Sequence, residues 1–342
     1  MDEKILQLIT DLRGKTIGIV YIFEKELAPG YIHYEAWKSD VISSWLNAVQ
    51  ELKCVPYIMD ARTFVYKAMN NTLPILDYVV NLNNGNVDLS TLGLIPSICS
   101  FLSIPCIPCN TLSMMIGEDK MVSNLIAYAK AMNIPEELDI SDPNGIMRPY
   151  TLGSSCGIKR GCNGHLPEGF LYQEFIPGFD MTTPILYNPL TQKLDILPAV
   201  MYYPQNKDIE WFLGQDEKEK HSGYIKRIIH IDDTSKKKYL ELAHAFSIKT
   251  YCRIDARVKC GSIQELEVLC EKPIDFERIY FLEINPTPTI KENINFHTSL
   301  QNLPANYDIR KCFDEYNSHI EQTSYTVFIL FCSMCALFKA KH

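Results

Sequence analysis

The pattern of apolar and polar positions changes character along the chain. Residues 16–23 form a short, β-branched apolar run bounded by polar residues, which predicts a buried strand. Residues 41–52 carry helical spacing, residues 55–59 read as the next strand, and residues 76–82 and 104–107 continue the alternation. Strand, helix, strand in this rhythm predicts a parallel sheet with helices on its faces. The pattern shifts near Asn110. Residues 123–132 read as a helix, Pro135 and Asp142-Pro143-Asn144-Gly145 as turns, and from Phe170 the chain turns β-rich, with breaks at Asn188-Pro189 and Pro204. A polar, charged stretch over residues 215–238 reads as a mobile surface loop. A helix over 238–246 and strands over 250–258 and 278–284 follow it. The apolar run Tyr325–Phe338 is shorter than the ~20 residues a membrane span needs, so it predicts a helix packed into a core rather than a tail anchor.

Composition narrows the class. The chain has 342 residues, 46% hydrophobic and 22% charged, which is room for two or three packed units. A net charge of -8 argues against a general affinity for nucleic acid. The 12 cysteines are scattered and the segment Met1-Asp2-Glu3-Lys4 is charged rather than signal-like, so the expectation is free thiols in a reducing cytoplasm. Cys106-Ile-Pro-Cys109 has a metal-like spacing but no second pair, and buried thiols at a strand end are the simpler reading.

Three clusters carry chemistry. In the first, Ile146-Met-Arg-Pro-Tyr-Thr-Leu-Gly-Ser-Ser-Cys-Gly157, a strand ends in Arg148 and a Gly/Ser loop follows. Glycines allow close backbone approach, and clustered N–H groups with Ser154 and Ser155 can cradle phosphate oxygens; an ordinary turn is the alternative. In the second, Leu171-Tyr-Gln-Glu-Phe-Ile-Pro-Gly-Phe-Asp180, a short strand bearing Glu174 leads through a turn to Asp180. Edge backbone groups there could pair with an adenine ring and the carboxylate with ribose hydroxyls, against the alternative of a solvated β-turn. The third is sharpest. Tyr251-Cys-Arg253-Ile-Asp255-Ala-Arg257 and Phe281-Leu-Glu283-Ile-Asn285-Pro286 place polar residues at alternate positions of apolar strands. Period two puts Arg253 with Asp255 on one face and Glu283 with Asn285 on another. If the strands are neighbours, two carboxylates and an amide oxygen converge as hard ligands suited to Mg²⁺ shared with phosphates, with Arg253 beside them to stabilise developing negative charge. A sheet face turned to water is the alternative.

Taken together, the three clusters resemble the ATP-grasp superfamily and, within it, the D-alanine–D-alanine ligases, over roughly residues 76–288. The resemblance implies an α/β, three-domain ATP-grasp fold: an N-terminal parallel α/β domain over 1–110, a central subdomain over 111–178 and a C-terminal catalytic domain over 179–342, with nucleotide held between two α+β domains. It implies that Glu174 and Ile176 hold adenine through backbone groups, that Asp180 holds the ribose, and that Lys120, Arg148, Ser154 and Ser155 meet the phosphates. Asp255, Glu283 and Asn285 would hold two Mg²⁺ ions, with Mn²⁺ as the alternative metal. Arg253 would steady the acyl phosphate, Ser154 would line the meeting point of phosphate and substrate, and Glu35 would bind the first substrate's ammonium. The reaction implied is ligation of two amino-acid-like molecules through an acyl phosphate, releasing ADP and phosphate, by a cytoplasmic homodimer without nucleic-acid or membrane partners. The closing loop of the family falls at residues 215–238.

The chain departs from the family on the substrate side. Residues 81–88 lack the family's histidine, Pro288-Thr289 replaces a proline–glycine pair, and Arg148 stands where lysine is usual. Substrate choice would be decided near Glu35, residues 83–88, His221 and residues 287–295. The alternatives are an ATP-grasp ligase acting on a non-amino-acid carboxylate, or a nucleotide-binding regulator that has lost turnover.

Overall fold

The computed structural model describes residues 3–22, 37–83, 89–206, 208–220, 222–291, 294–320 and 324–338. Four strands, β1 (Thr16–Tyr21), β2 (Val55–Asp60), β3 (Tyr78–Leu82) and β4 (Cys106–Ile107), form a parallel sheet in the order β2-β1-β3-β4. Its middle strands β1 and β3 are buried on both faces, as helix-covered parallel strands must be. The edge strand β2 instead exposes Val55, Tyr57 and Ile58. Val55 N donates to Lys15 O, so the alternation of a parallel ladder turns Pro56 outward, where its missing N–H costs nothing and blunts the edge.

A small antiparallel sheet follows: β5 (Gly145–Pro149), β6 (Lys159–Arg160) and β7 (Phe170–Glu174), in the order β6-β5-β7. The third sheet is the largest. It comprises β8 (Gly178–Asn188), β9 (Lys193–Ile196), β10 (Ala199–Pro204), β11 (Tyr224–Ile229), β12 (Tyr251–Lys259) and β13 (Ile279–Asn285), ordered β11-β10-β8-β12-β13 with β9 on β8. Directly paired residues share a face. One face therefore carries Met181, Met201, Cys252, Ile254, Ala256, Val258 and Ile284 into an apolar core with Tyr239, Leu242 and Phe246 of helix Asp233–Ala245. A β-bulge at Asp255/Ala256 keeps Phe281 on that apolar face while Glu283 stays on the other.

The helix Tyr325–Phe338 is apolar all round and lies deep in a second core. That core joins Ile17, Ile19 and Val80 of the parallel sheet to Leu186 and Tyr251 of the large sheet. Among the described residues no helix is long and apolar enough to cross a membrane.

Boundaries differ from the sequence pattern where a cap decides them. The helix expected over 123–132 runs Lys120–Ala129, because the Asp119 side chain accepts from Met121 N and Val122 N and starts it early. The helix expected over 238–246 begins at Asp233 for the same reason, with Asp232 accepting from Ser235 N. The stretch 215–238 is not a loop. It contains helix Gln215–Lys220 and edge strand β11, whose exposed Lys226 and Arg227 add to the charge of a stretch that reads as irregular surface.

Gly178 opens β8 at φ +139°, and an added Cβ would lie 1.9 Å from the Val258 carbonyl oxygen. Backbone rather than a pliant side chain fills the space, so Gly178→Ala should cost about 3 kcal/mol or more. Urea unfolding checks this; a loss below ~1 kcal/mol would show that β8 and β12 part easily.

Candidate active site

A cavity of about 420 Å³ lies between the small sheet and the polar face of the large one. Its floor follows from register. Asp255 on β12 stands opposite Glu283 on β13 and Thr182 on β8, and Arg253 stands opposite Asn285. The strands read as possible neighbours in the sequence are indeed adjacent. Arg253 grips Asp255 in a two-point fork, Nε to Oδ1 at 2.7 Å and Nη2 to Oδ2 at 2.6 Å, and Thr182 Oγ1 donates to Asp255 Oδ1 at 2.5 Å.

Cations from separate elements meet at Glu283. Lys120, the first residue of its helix, places Nζ 3.1 Å from Glu283 Oε2 and donates to Leu152 O at 2.7 Å. Arg148 descends from β5, donating to Leu282 O at 3.2 Å with Nη2 3.5 Å from the same carboxylate oxygen. Its Nη1 is buried with no hydrogen-bond partner. An orphaned guanidinium N–H at the cavity wall is a donor waiting for an acceptor-rich ligand. Lys218, from helix Gln215–Lys220, also lines the cavity and interacts with Glu283 and Asp255. Burial alone would raise the Glu283 carboxyl, but Lys120, Arg148 and Lys218 outweigh it and pull its pKa from 4.5 to about 2. Burial in turn pushes the Arg148 and Lys218 pKa values down against the attraction of these carboxylates.

The small sheet's loops form the opposite wall. Ser154 and Ser155 both hold positive φ (54° and 62°), a bend that folds the Gly/Ser loop over the cavity. Ser155 Oγ donates to Leu213 O at 2.8 Å. Glu174, at the end of β7, and Ile176, just beyond it, line the cavity; Glu174 Oε1 accepts from Glu136 N, and Ile176 N–H has no acceptor among the described residues. Asp180, on β8, accepts from Arg257 Nη1 at 3.1 Å and from Leu213 N at 2.6 Å.

The structure thus gathers Lys120, Arg148, Ser154, Ser155, Glu174, Ile176, Asp180, Arg253, Asp255, Glu283 and Asn285 around one cavity. Glu35, His221 and residues 84–88 lie outside the described residues. Asn83 is described and does not line the cavity; its Nδ2 donates to Thr91 O. Thr287, Thr289 and Asn295 also line the cavity, with Tyr202 O–H bonded to Asn295 Oδ1. Lys218 and Arg257 are charged cavity residues that received no role from the sequence. Lys218 carries no signal separating it from the other lysines of a polar stretch. Arg257 did carry one, since period two on β12 puts it on the face of Arg253 and Asp255.

No family model and no curated protein matches the sequence. Solved structures do match the fold. The D-alanine–D-alanine ligase from Bacillus anthracis complexed with ATP superposes with a TM-score of 0.60 at 14% identity, over 96% of this chain and 99% of that one. The VanG D-Ala:D-Ser ligase from Enterococcus faecalis gives 0.57 at 16% identity, over 89% and 100%. A protein from Archaeoglobus fulgidus described as of the ATP-grasp superfamily gives 0.51 at 12% identity, over 81% and 82%. The chain therefore has the ATP-grasp fold in the arrangement seen in D-alanine–D-alanine ligases, as the motif resemblance led us to expect.

The Glu283 shift has a consequence for acid stability. Its folded pKa is depressed, so its contribution is present above 4.5 and is lost as pH falls toward about 2. Unfolding free energy measured across that window should fall with acid in the wild type. Glu283→Gln, which cannot titrate, should show a shallower slope from a lower plateau; equal slopes would mean Glu283 is not held by these cations.

Proposed function

We propose that the chain is an ATP-dependent carboxylate–amine ligase that joins two amino-acid-like substrates through an acyl phosphate. The observation that carries the reading is the meeting of Lys120, Arg148 and Lys218 over the opposed carboxylates Asp255 and Glu283, inside a cavity rimmed by the peptide that joins β7 to β8 around Ile176, the hinge. Such a cation cluster over paired hard anions suits a polyphosphate better than any neutral ligand. Ile176 N–H is placed to donate to an adenine ring nitrogen, and Asp180 retains lone pairs for ribose hydroxyls. The phosphates then run toward Lys120, Arg148 and Lys218, with Ser154 and Ser155 above.

Mg²⁺ fits the donor set. Asp255 and Glu283 are hard oxygen donors on facing positions, and Asn285 lies two residues along β13. Among the described residues no cluster of three or more His, Cys, Asp or Glu could hold a metal by itself. That agrees with an ion taking one or two carboxylates and completing its shell with phosphate oxygens and water. When bound there, the ion would offset charge on the transferring phosphoryl group.

The protein's own groups supply positioning and charge. The carboxylate of the first substrate attacks the γ-phosphorus and the bond to ADP breaks. Arg148, with its unpartnered Nη1, and Lys120 face the equatorial oxygens that gather charge. The amine of the second substrate attacks the acyl carbon, and phosphate leaves. Arg253 is fixed on one edge by Asp255, so its orientation is set before substrate arrives, and Nη1 remains for the oxyanion. Phe212, Leu213, Gln215, Lys218 and the Gly/Ser loop line the cavity; water that they exclude cannot compete for the acyl phosphate.

Phosphate release from ATP and Mg²⁺ with the L-amino acids and a set of D-amino acids, singly and in pairs, tests the reading. Release requiring a pair is the expected result. Bound ATP with silence across the panel would remove the amino-acid ligase and leave another carboxylate or a regulator. Asp255→Asn should retain the fold, seen by circular dichroism, yet lower ATP consumption by about 100-fold or more. Turnover near wild type in that variant would sink the assignment of Asp255.

A further inference from the structure

Arg257 makes five hydrogen bonds inside the cavity, and the mechanism above leaves it without a task. It is 3% exposed, on the polar face of β12. Its Nε donates to Ile176 O at 2.6 Å, and Nη1 donates to Asp180 Oδ1 at 3.1 Å. Its Nη2 reaches Gly178 O at 2.8 Å, Trp211 O at 2.5 Å and Ile209 O at 3.3 Å. The guanidinium also lies 4.6 Å from the centre of the Phe175 ring. One side chain thus ties three parts of the cavity together: the peptide hinge after β7, the carboxylate on β8, and the segment 209–213.

We propose that Arg257 is a positioning residue for the nucleotide base, setting the hinge peptide and the segment 209–213 as the two walls of the base pocket. The inference rests on reading the cavity as a nucleotide site. Ile176 precedes Pro177, which holds it extended, and in extended backbone the N–H and C=O of one residue point to the same side. Arg257 Nε occupies the carbonyl, which leaves the Ile176 N–H as the hinge donor without an acceptor among the described residues. A ligand atom placed against that N–H meets a donor, since Arg257 already engages the neighbouring carbonyl. It must be an acceptor, such as N1 of adenine; guanine carries N1–H at that position and would set donor against donor. Arg257 thereby favours adenine without touching the phosphates.

The far wall is held by the same set of groups. Ile209 O also accepts from Gly178 N, Leu213 N donates to Asp180, and Leu213 O accepts from Ser155 Oγ. Three backbone groups of a five-residue segment are therefore fixed by the hinge, the carboxylate and the Gly/Ser loop, and Arg257 holds a fourth, the Trp211 carbonyl. Ser155 has one hydroxyl proton and spends it on Leu213, so a phosphate that takes that proton must shift Leu213. Base, ribose and phosphate contacts thus all bear on the same segment, which includes Trp211.

Equilibrium binding of Mg·ATP and Mg·GTP to the full chain, without any substrate, tests this directly. The wild type should prefer ATP, and Arg257→Met should weaken ATP by about tenfold while bringing the ATP-to-GTP ratio close to one. Lys120→Ala should weaken both nucleotides and keep the ratio, which separates loss of base reading from loss of phosphate contact. Arg257→Lys retains the charge but not the fork; it should also lose the preference, and it serves where the methionine variant folds poorly. Trp211 fluorescence in the wild type should change on ATP binding with a weaker response to GTP. A wild-type ratio retained in a folded Arg257 variant overturns the assignment of Arg257 and leaves the nucleotide reading standing. A wild type that binds neither nucleotide overturns the nucleotide reading and this inference with it.

Discussion

Asp255 and Glu283 face each other across adjacent antiparallel strands, and like charges in that relation repel. The surrounding structure supplies the compensation. Arg253 and Thr182 hold Asp255 from its own strand and from β8, while Lys120, Arg148 and Lys218 reach Glu283 from a helix start, the small sheet and the helix after β10. Those cations have to come from elements far apart in the chain, because the large sheet's own polar face is largely committed to its internal pairs. Closing the small sheet over the large one is thus an electrostatic requirement as well as a packing one. The cluster also explains why Arg148 can be buried with a donor unpartnered: attraction to nearby carboxylates offsets part of its desolvation.

What was legible in the sequence follows from which signals are local. The alternation on β12 and β13 is a property of two short segments, and it places Arg253, Asp255, Glu283 and Asn285 on the correct face before any fold is known. The Gly/Ser loop and the hinge are likewise contiguous, and their order along the chain carried the ATP-grasp resemblance although overall identity to the solved ligases is only 14–16%. The parallel N-terminal sheet was legible from its rhythm, but not the exposure of β2, since being at an edge depends on which strands pair. Residues 215–238 misread for a related reason. An edge strand protects itself with charge, and charge is also the mark of a loop, so β11 and Lys218 were hidden by the same chemistry that suits them to the edge and the cavity. Arg257 shows the opposite failure: its face was known, and its five acceptors were not, because four of them are backbone carbonyls in segments distant along the chain.

The two walls of the cavity are not built alike. Beneath the polar face of the large sheet lies an apolar core of more than two dozen buried residues, and a second core welds that sheet to the parallel sheet through helix Tyr325–Phe338. Among the described residues the small sheet rests on a core cluster of Met147, Cys162 and Tyr172, with Leu138, Leu166 and Phe170 packed against it. Its attachment across the cavity is chiefly polar: Lys120 and Arg148 to Glu283, Arg257 to the hinge, Ser155 to Leu213. Polar contacts that face a cavity exchange readily with water or ligand, whereas an apolar core does not open in parts. A polyphosphate entering between the walls would therefore act on the lightly cored one, drawing Arg148 and the Gly/Ser loop toward a floor that the C-terminal helix holds still. On this view the apolar tail helix, none of whose residues lines the cavity, is what makes the floor a fixed reference against which the other wall can be set.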